Sequence, residues 1–146
     1  MTCYAARIAL TGLCALLVAG CSGAGLSIDT GPQAGLGCVD DSKVCIDQRA
    51  AALKSIMADK ERKWVREPAT PAAYASGVRM FAYKQRKKEL SCEELALGRR
   101  EADAAASTLR GPGGAGLTPA QISRGVMMGQ EVSKELAGEQ GRRCRA

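Results

Sequence analysis

Residues 91–136 read SCEELALGRREADAAASTLRGPGGAGLTPAQISRGVMMGQEVSKEL. This stretch predicts two helices joined by a short turn, and that helix pair is the basis of the predicted fold. Ser91 and Glu94 have the S-x-x-E spacing of a capping box, in which each side chain satisfies a backbone N–H of the other residue. Gly111 and Pro112 end the first helix of the pair, since proline cannot continue a helical hydrogen-bond pattern. Its apolar positions recur at helical spacing: Cys92, Leu95, Ala102, Ala105 and Leu109.

The second helix of the pair has its own start signal. Thr118 and Gln121 have the T-x-x-Q capping spacing, and Pro119 stands at the first helical position, where its missing N–H is not needed. Gly125 and Gly129 have a small-xxx-small spacing, which indicates close packing against a neighbouring helix or, as the alternative, a homodimer seam. The apolar stripe of this helix is Ile122, Val126, Gly129, Val132 and Leu136.

Two further helices are predicted upstream of this pair. Asp41 or Ser42 caps the first, which runs to about Val65 with the stripe Ile46, Ala50, Leu53, Met57 and Trp64. The next begins near Pro71, places Tyr74, Val78 and Phe81 at helical spacing, and ends in a charged turn at residues 87–90. No alternating run rich in Val and Ile predicts a strand. We therefore expect an all-α domain, a small up-down bundle of about four helices stapled by disulfides.

The N-terminal residues have the pattern of a secretory signal. Arg7 precedes an apolar run over residues 8–19, too short for a helix that crosses ~30 Å of hydrocarbon. The sequence Val18-Ala19-Gly20-Cys21 that closes this run resembles the lipobox of bacterial lipoprotein signal peptides. The resemblance implies cleavage of residues 1–20 and a diacylglyceryl thioether on Cys21, whose amine is usually also acylated, for example with palmitate. Ser22 follows the predicted lipid site, where an Asp is the best-known signal for retention in the inner membrane, so its absence favours the outer membrane. The alternative to the lipobox is an ordinary signal peptide with a cysteine at this position by chance.

This interpretation divides the rest of the chain into a lipidated cysteine with a Gly-rich tether, residues 21–37, and a helical domain, residues 38–146. Four cysteines belong to neither the signal nor the lipid: Cys38, Cys45, Cys92 and Cys144. An even number in a small exported domain predicts two disulfides, with three possible pairings. We favour Cys92–Cys144 with Cys38–Cys45, and Cys45–Cys92 with Cys38–Cys144 is a close alternative. An up-down bundle brings all four to one end. A four-thiolate zinc site is the other alternative, but no C-x-x-C pair supports it.

The residues that carry chemistry are few. The chain contains no histidine, which excludes Ser-His-Asp and Cys-His catalysis and histidine-ligated metals. Carboxylates cluster on the two downstream helices, at Glu93, Glu94, Glu101 and Asp103 and at Glu131, Glu135 and Glu139. We expect them on exposed helix faces, where solvation and the helix dipole account for them. The glycine-rich turn lacks the preceding strand and the Lys-Ser/Thr of a phosphate loop. We predict no enzymatic activity, no cofactor and no metal.

The segment YASGVRMFAYKQRKK, residues 74–88, is the candidate binding surface. The chain carries a net charge of +6, and aromatic rings beside cations can contact sugars, headgroups or an acidic partner. The candidate residues are Tyr74, Arg79, Tyr83, Lys84 and Lys87. The alternative places Tyr74, Val78 and Phe81 in the core and leaves the cations solvated. Nucleic acid is not an expected partner, since no recognition motif is present and the chain is predicted to be exported.

A fainter resemblance covers residues 38–146. The patterns CVDDSKVCIDQRAAALKSIMADKERKWV, PAAYASGVRMFAY and GRREADAAASTLRGPGG resemble small predicted bacterial lipoproteins of unassigned function. Some of these carry a label linking them to periplasmic β-glucan biosynthesis, and the resemblance brings no catalytic motif. We expect a lipid-anchored, periplasm-facing accessory protein of the outer membrane that binds a protein partner or an anionic envelope glycan. A component or accessory of β-glucan biosynthesis is the alternative, and the oligomeric state stays open.

Overall fold

The computed structural model describes residues 36–144. The signal, the lipobox with Cys21, and the tether up to residue 35 lie outside the described residues, as do residues 145–146. Leu36 is buried in the core, so the last part of the predicted tether belongs to the domain. Over the described range, none of the helices combines the length and the apolar character needed to cross a membrane.

The described chain is all-helical, which confirms the predicted fold class. It contains α1 (Lys43–Ala58), a 3-10 turn (Lys63–Arg66), α2 (Pro71–Ser76), α3 (Val78–Arg86), α4 (Cys92–Arg110), a 3-10 turn (Pro112–Gly114) and α5 (Pro119–Arg143). Five α-helices replace the expected four because Gly77, at a φ of 73°, interrupts the second predicted helix and separates α2 from α3. The first helix ends at Ala58, seven residues before the predicted end at Val65, and Trp64 lies in the following 3-10 turn.

Helices α4 and α5 form the predicted antiparallel hairpin, the most extensive helix pair of the fold. Both predicted capping boxes are present, at Ser91 and at Thr118. The glycine spacing has the expected use: a Cβ on Gly129 would lie 2.8 Å from the carbonyl oxygen of Ala102 and 2.8 Å from the Cβ of Ala105. Glycine therefore sets how closely the two helices approach.

Of the remaining helices, α3 has the predicted direction and α1 does not. Lys84 of α3 pairs with Glu131 of α5, and Lys87, just after α3, pairs with Glu135, so α3 runs parallel to α5, as the second and fourth helices of an up-down bundle do. Helix α1 is also parallel to α3, because Arg86 at the end of α3 donates to the carbonyl oxygen of Asp59 at the end of α1. Residues 59–70 form an irregular return segment between them. The first two long elements are therefore not antiparallel neighbours joined by a short turn.

This topology overturns the expectation that all four cysteines gather at one end. The favoured pairing is confirmed, with Cα–Cα distances of 5.3 Å for Cys38–Cys45 and 5.6 Å for Cys92–Cys144. The first pair lies beside the start of α5, where Gln121 donates to the carbonyl oxygen of Val39, whereas Cys144 follows the end of α5. A helix of 25 residues is about 37 Å long, so the disulfides stand at opposite ends of the domain. The return segment at residues 59–70 is the cause, and the separation leaves no four-thiolate zinc site.

The core is built on α4 and α5 largely as the periodicity predicts, with Leu95, Leu109, Val132 and Leu136 buried. The prediction for the first helix holds in part. Trp64 is buried and Leu53 packs against the core, but Ile46 and Met57 of the predicted stripe are exposed. The buried residues of α1 are Cys45, Ala52 and Ile56, so the helix has a second apolar face that the sequence analysis did not assign to the core.

Candidate functional site

Most of the predicted binding surface lies inside the protein. Tyr74 is 8 % exposed, and Arg79 and Tyr83 are each 0 % exposed. The prediction that these three side chains form a surface is therefore wrong, and the alternative that places the segment in the core holds for them. The physical reason is that α3 is central, since α1, α2 and α5 all pack against it.

Arg79 is the centre of a buried polar cluster. Its Nε and Nη2 donate to the two carboxylate oxygens of Glu101 at 2.7 and 2.5 Å, and Nη2 also donates to the carbonyl oxygen of Glu67 at 2.8 Å. The Tyr83 hydroxyl donates to Glu101 at 3.0 Å, and the guanidinium lies 5.7 Å from the Trp64 ring centroid. A buried charge needs such pairing, because unpaired burial of an ion costs several kcal/mol.

The pKa values of the cluster show the same pairing. Burial alone lowers the pKa of Arg79, but the hydrogen bonds and charge of Glu101 outweigh it, so the net pKa is raised. Burial, then the Glu101 charge, raises the pKa of Tyr83 far above its ordinary value. Arg79 is therefore a cation and Tyr83 a neutral phenol at every physiological pH. The cluster joins α3, α4 and the return segment, and its role is structural.

Lys84 and Lys87 reach the surface but carry partners there. Lys84 lies 2.5 Å from Glu131 and 3.3 Å from Glu135, and Lys87 pairs with Glu135. The hydrogen bond from Lys87 lowers the pKa of Glu135 despite partial desolvation, so Glu135 opposes these cations at neutral pH. The pairs weaken the case for an anionic glycan at this position, because a polyanion would compete with two carboxylates.

The acids of α4 and α5 also serve as partners. Glu94 is 2 % exposed, accepts hydrogen bonds from Arg62 Nε at 3.1 Å and caps α4 through Ser91. Asp103 accepts from the Ser133 hydroxyl at 2.5 Å. Glu94, Glu101 and Glu139 therefore lie in the interior and not on the exposed face expected from the sequence. Among residues 36–144, no group of three or more acids or cysteines is placed to hold a metal ion.

The feature that stands out on the described surface is an apolar groove between α1, α3 and α5. Its floor is Gly77, where a Cβ would collide with the Met128 side chain, and its cavity volume is about 280 Å³. We call it the α1–α3 groove. Its lining consists of Arg49, Ala50, Leu53, Ser76, Gly77, Val78, Phe81 and Met128.

Large apolar side chains continue from the groove onto the surrounding surface. Phe81 in its wall is 40 % exposed. Ile46 and Met57, 48 % and 39 % exposed, lie one helical turn beyond Ala50 and Leu53 on the same stripe of α1. Met127 of α5 is 61 % exposed. It lies between Arg124 and Glu131 in the sequence; Arg124 pairs with Asp41, just before α1, and Glu131 pairs with Lys84 of α3. Contiguous exposed apolar surface of this kind marks interaction sites.

The sequence periodicity identified one side of this groove but predicted that it faces the core. The stripe Ile46–Ala50–Leu53–Met57 is the one predicted to face the core. Its larger side chains made it the more conspicuous face of α1, yet the face of Cys45, Ala52 and Ile56 is the buried one. The sequence does contain a signal for two apolar faces on α1, since the exposed stripe and the buried set both recur at helical spacing.

Comparison with known proteins does not assign the chain to a family. No protein-family model matches it, and neither the curated proteins nor the solved structures contain a significant match.

Proposed function

We propose that this protein is a lipid-anchored, periplasm-facing accessory protein of the bacterial outer membrane that acts by binding a partner protein in the α1–α3 groove. The anchor is the lipobox cysteine Cys21. The observation that carries the binding role is the concave apolar surface lined by Leu53, Phe81 and Met128, which the exposed Ile46 and Met57 extend along the same stripe of α1. The protein works as an adaptor without a reaction of its own.

The shape of the groove favours a helix of the partner as the occupant. The exposed stripe of α1 runs from Ile46 to Met57, about 16 Å along the helix, which is three turns. An amphipathic helix presents apolar side chains at the same spacing and can insert one of them between Leu53 and Phe81. Methionine at the groove, Met57 and Met128, adapts to such a ligand because its side chain is flexible and polarizable.

Charge around the groove supports a protein helix over a polyanion. Lys84 and Arg124 beside the groove are paired with Glu131 and Asp41, and Arg49 in its wall donates to backbone carbonyls. Lys54 is exposed on α1 next to the stripe, and no ion pair forms to it within residues 36–144. A partner helix with an apolar face and an acidic edge fits this combination, whereas an anionic glycan would have to displace the carboxylates that already pair with Lys84 and Arg124.

The test is photo-crosslinking in living cells with a C-terminally tagged chain. A photoreactive residue at Phe81 should capture one discrete protein, and the same probe at Val44 should not. Val44 is a matched control because it is equally apolar, 62 % exposed and on the opposite side of α1 from the stripe. Equal capture at both positions, or capture of abundant envelope proteins only, would count against the groove. The identity of the captured protein also tests the β-glucan alternative.

The anchor is tested separately. Wild-type protein should fractionate with the outer membrane and carry acyl chains on Cys21, and the Cys21→Ala variant should not. Loss of the Phe81 cross-link in the Cys21→Ala strain would show that the partner is met at the membrane. If the Cys21→Ala protein no longer fractionates with the outer membrane but still gives the Phe81 cross-link, partner binding in the groove does not require the lipid anchor.

A further inference from the structure

The Cys38–Cys45 disulfide has an environment that differs from that of Cys92–Cys144. Cys45 is the third residue of α1, whose N-cap Ser42 accepts from the Cys45 amide, and its Sγ accepts a hydrogen bond from Arg49 Nη1 at 3.5 Å. The N-terminus of a helix and a guanidinium group both stabilise negative charge on sulfur. Cys92 also lies at a helix N-terminus, as the first residue of α4, but acidic residues follow it, and neither sulfur of Cys92–Cys144 accepts a hydrogen bond within residues 36–144. The guanidinium of Arg49 is therefore the difference between the two bridges.

We propose that Cys38–Cys45 is a thiol–disulfide exchange site at which Cys45 is the leaving group. Cys45 is 1 % exposed, whereas Cys38 is half-buried, so Cys38 is the more accessible partner for an incoming thiolate. Attack forms a new S–S bond on Cys38, breaks the Cys38–Cys45 bond and leaves Cys45 as a thiolate beside Arg49. A better stabilised leaving thiolate departs faster.

The reductant is a protein or small-molecule dithiol. Its second thiolate attacks its own sulfur in the mixed disulfide, which releases Cys38 as a thiolate and leaves the reductant as a disulfide. Two electrons pass to this chain, and each thiolate that is not stabilised takes a proton from water. A disulfide oxidant drives the same steps in reverse.

The fold allows both redox states because other contacts hold the segment that precedes α1. Leu36 is 2 % exposed in the core, Gln121 donates to the carbonyl oxygen of Val39 at 3.1 Å, and Arg124 pairs with Asp41 at 3.2 Å. The bridge closes a separation of only 7 residues, compared with 52 for Cys92–Cys144. Opening the short bridge therefore releases little chain, and the helices stay packed.

This inference does not depend on the proposed partner or on the anchor. Arg49 nevertheless lines the α1–α3 groove, so the exchange site and the groove share one side chain.

The experiment is equilibration of the full chain, purified from envelopes in detergent, with mixtures of reduced and oxidised dithiothreitol at pH 8. Thiols are alkylated at equilibrium, and each disulfide is quantified by peptide mass spectrometry. We expect Cys38–Cys45 to be half-reduced at a reduced-to-oxidised ratio at least 100-fold lower than Cys92–Cys144. Arg49→Met should raise the ratio needed for Cys38–Cys45 by about tenfold, which corresponds to about 30 mV, and Arg49→Lys should restore part of the shift.

Arg124→Met is the control for loss of a cation that holds the same segment, through Asp41, without contacting either sulfur. Arg49 also holds this segment, through the carbonyl oxygens of Cys38 and Asp40, so the pKa of the Cys45 thiol is measured as well, in a Cys38→Ser background. Arg49→Met should raise that pKa and Arg124→Met should leave it unchanged if Arg49 acts at the sulfur. Equal shifts in the two variants would assign the effect to anchoring of the segment and overturn the proposal. Reduction of both disulfides at the same ratio would overturn it as well.

The direction of attack has its own readout. A short pulse of reduced glutathione, quenched with acid and analysed by peptide mass spectrometry, should place the glutathione on Cys38, since the attacked sulfur keeps the incoming thiol. Glutathione found mainly on Cys45 would show that Cys45 is the attacked sulfur and refute the assignment of the leaving group.

Discussion

The contact between α4 and α5 makes one substitution especially informative. In Gly129→Ala the new methyl group would lie 2.8 Å from the Ala102 carbonyl oxygen and 2.8 Å from the Ala105 Cβ. The carbonyl oxygen belongs to helix backbone and cannot turn away, so the two helices must separate by several tenths of an ångström. Overpacking of this kind costs about 3 kcal/mol at the upper end of its usual range.

The same substitution also has a favourable part, which a control variant isolates. Alanine is better than glycine inside a helix by about 1 kcal/mol. Gly138, also in α5, has only the flexible end of Arg142 near a new Cβ, at 3.8 Å. Gly138→Ala should therefore stabilise the domain by about 1 kcal/mol, whereas Gly129→Ala should destabilise it by about 2 kcal/mol after the two effects are combined.

The assay is urea unfolding followed by far-UV circular dichroism, with a thermal melt as the second readout. For a domain of this size, about 2 kcal/mol corresponds to a melting temperature roughly 8 °C lower. A Gly129→Ala variant as stable as the wild type would refute the reasoning, because it would mean that the two helices do not approach as closely as the structure shows. An equal loss in Gly138→Ala would show that glycine matters here for another reason than the helix contact.

Three further changes test other parts of the fold by urea unfolding. Arg79→Met should lower the free energy of unfolding by about 3–5 kcal/mol, because it leaves the carboxylate of Glu101 buried without its cation. Adding Glu101→Leu should recover at least half of this loss of stability. No recovery in the double variant would contradict the pairing of Arg79 with Glu101. The pKa of Glu94 is lowered from its ordinary 4.5, since the Ser91 amide and Arg62 outweigh desolvation. The stability that Glu94 contributes is therefore complete above that value and is lost as the pH falls through the folded pKa, and Glu94→Gln should flatten the stability profile below about pH 5. An unchanged profile would disprove the ionic contribution. Replacing Cys92 and Cys144 by serine should cost about 4 kcal/mol, and replacing Cys38 and Cys45 about 2.5 kcal/mol, because the loops close 52 and 7 residues respectively. The reverse order would contradict the loop-entropy argument.

The sequence predicts the downstream half of the domain well because its signals are local. The capping residues Ser91 and Thr118, the stop at Gly111 and the spacing of Gly125 and Gly129 act within one helix or between helices joined by a short turn. Each is decided by backbone hydrogen bonds or by the space that a side chain occupies. These are properties that neighbouring residues determine without reference to the rest of the chain.

The upstream half shows where such reasoning fails. The charged segment around Arg79 looks like a surface when only composition is considered, and the ion pair with Glu101, 22 residues away, is what allows Arg79 to be buried. The α1–α3 groove could not be predicted, because the face of α1 that stays open depends on where α3 packs. Two apolar faces on one helix are equivalent until a neighbour covers one of them.

Local signals in the chain are enough to predict the all-α class, the α4–α5 hairpin with its caps, and the preference for Cys38–Cys45 with Cys92–Cys144. Three features depend on tertiary packing: which apolar face of α1 is buried, the interior position of Tyr74, Arg79 and Tyr83, and the placement of the two disulfides at opposite ends. The physical reason is the range of the interactions. Helix formation and capping are satisfied within a few residues, whereas burial depends on contacts between segments that the irregular return at residues 59–70 brings together.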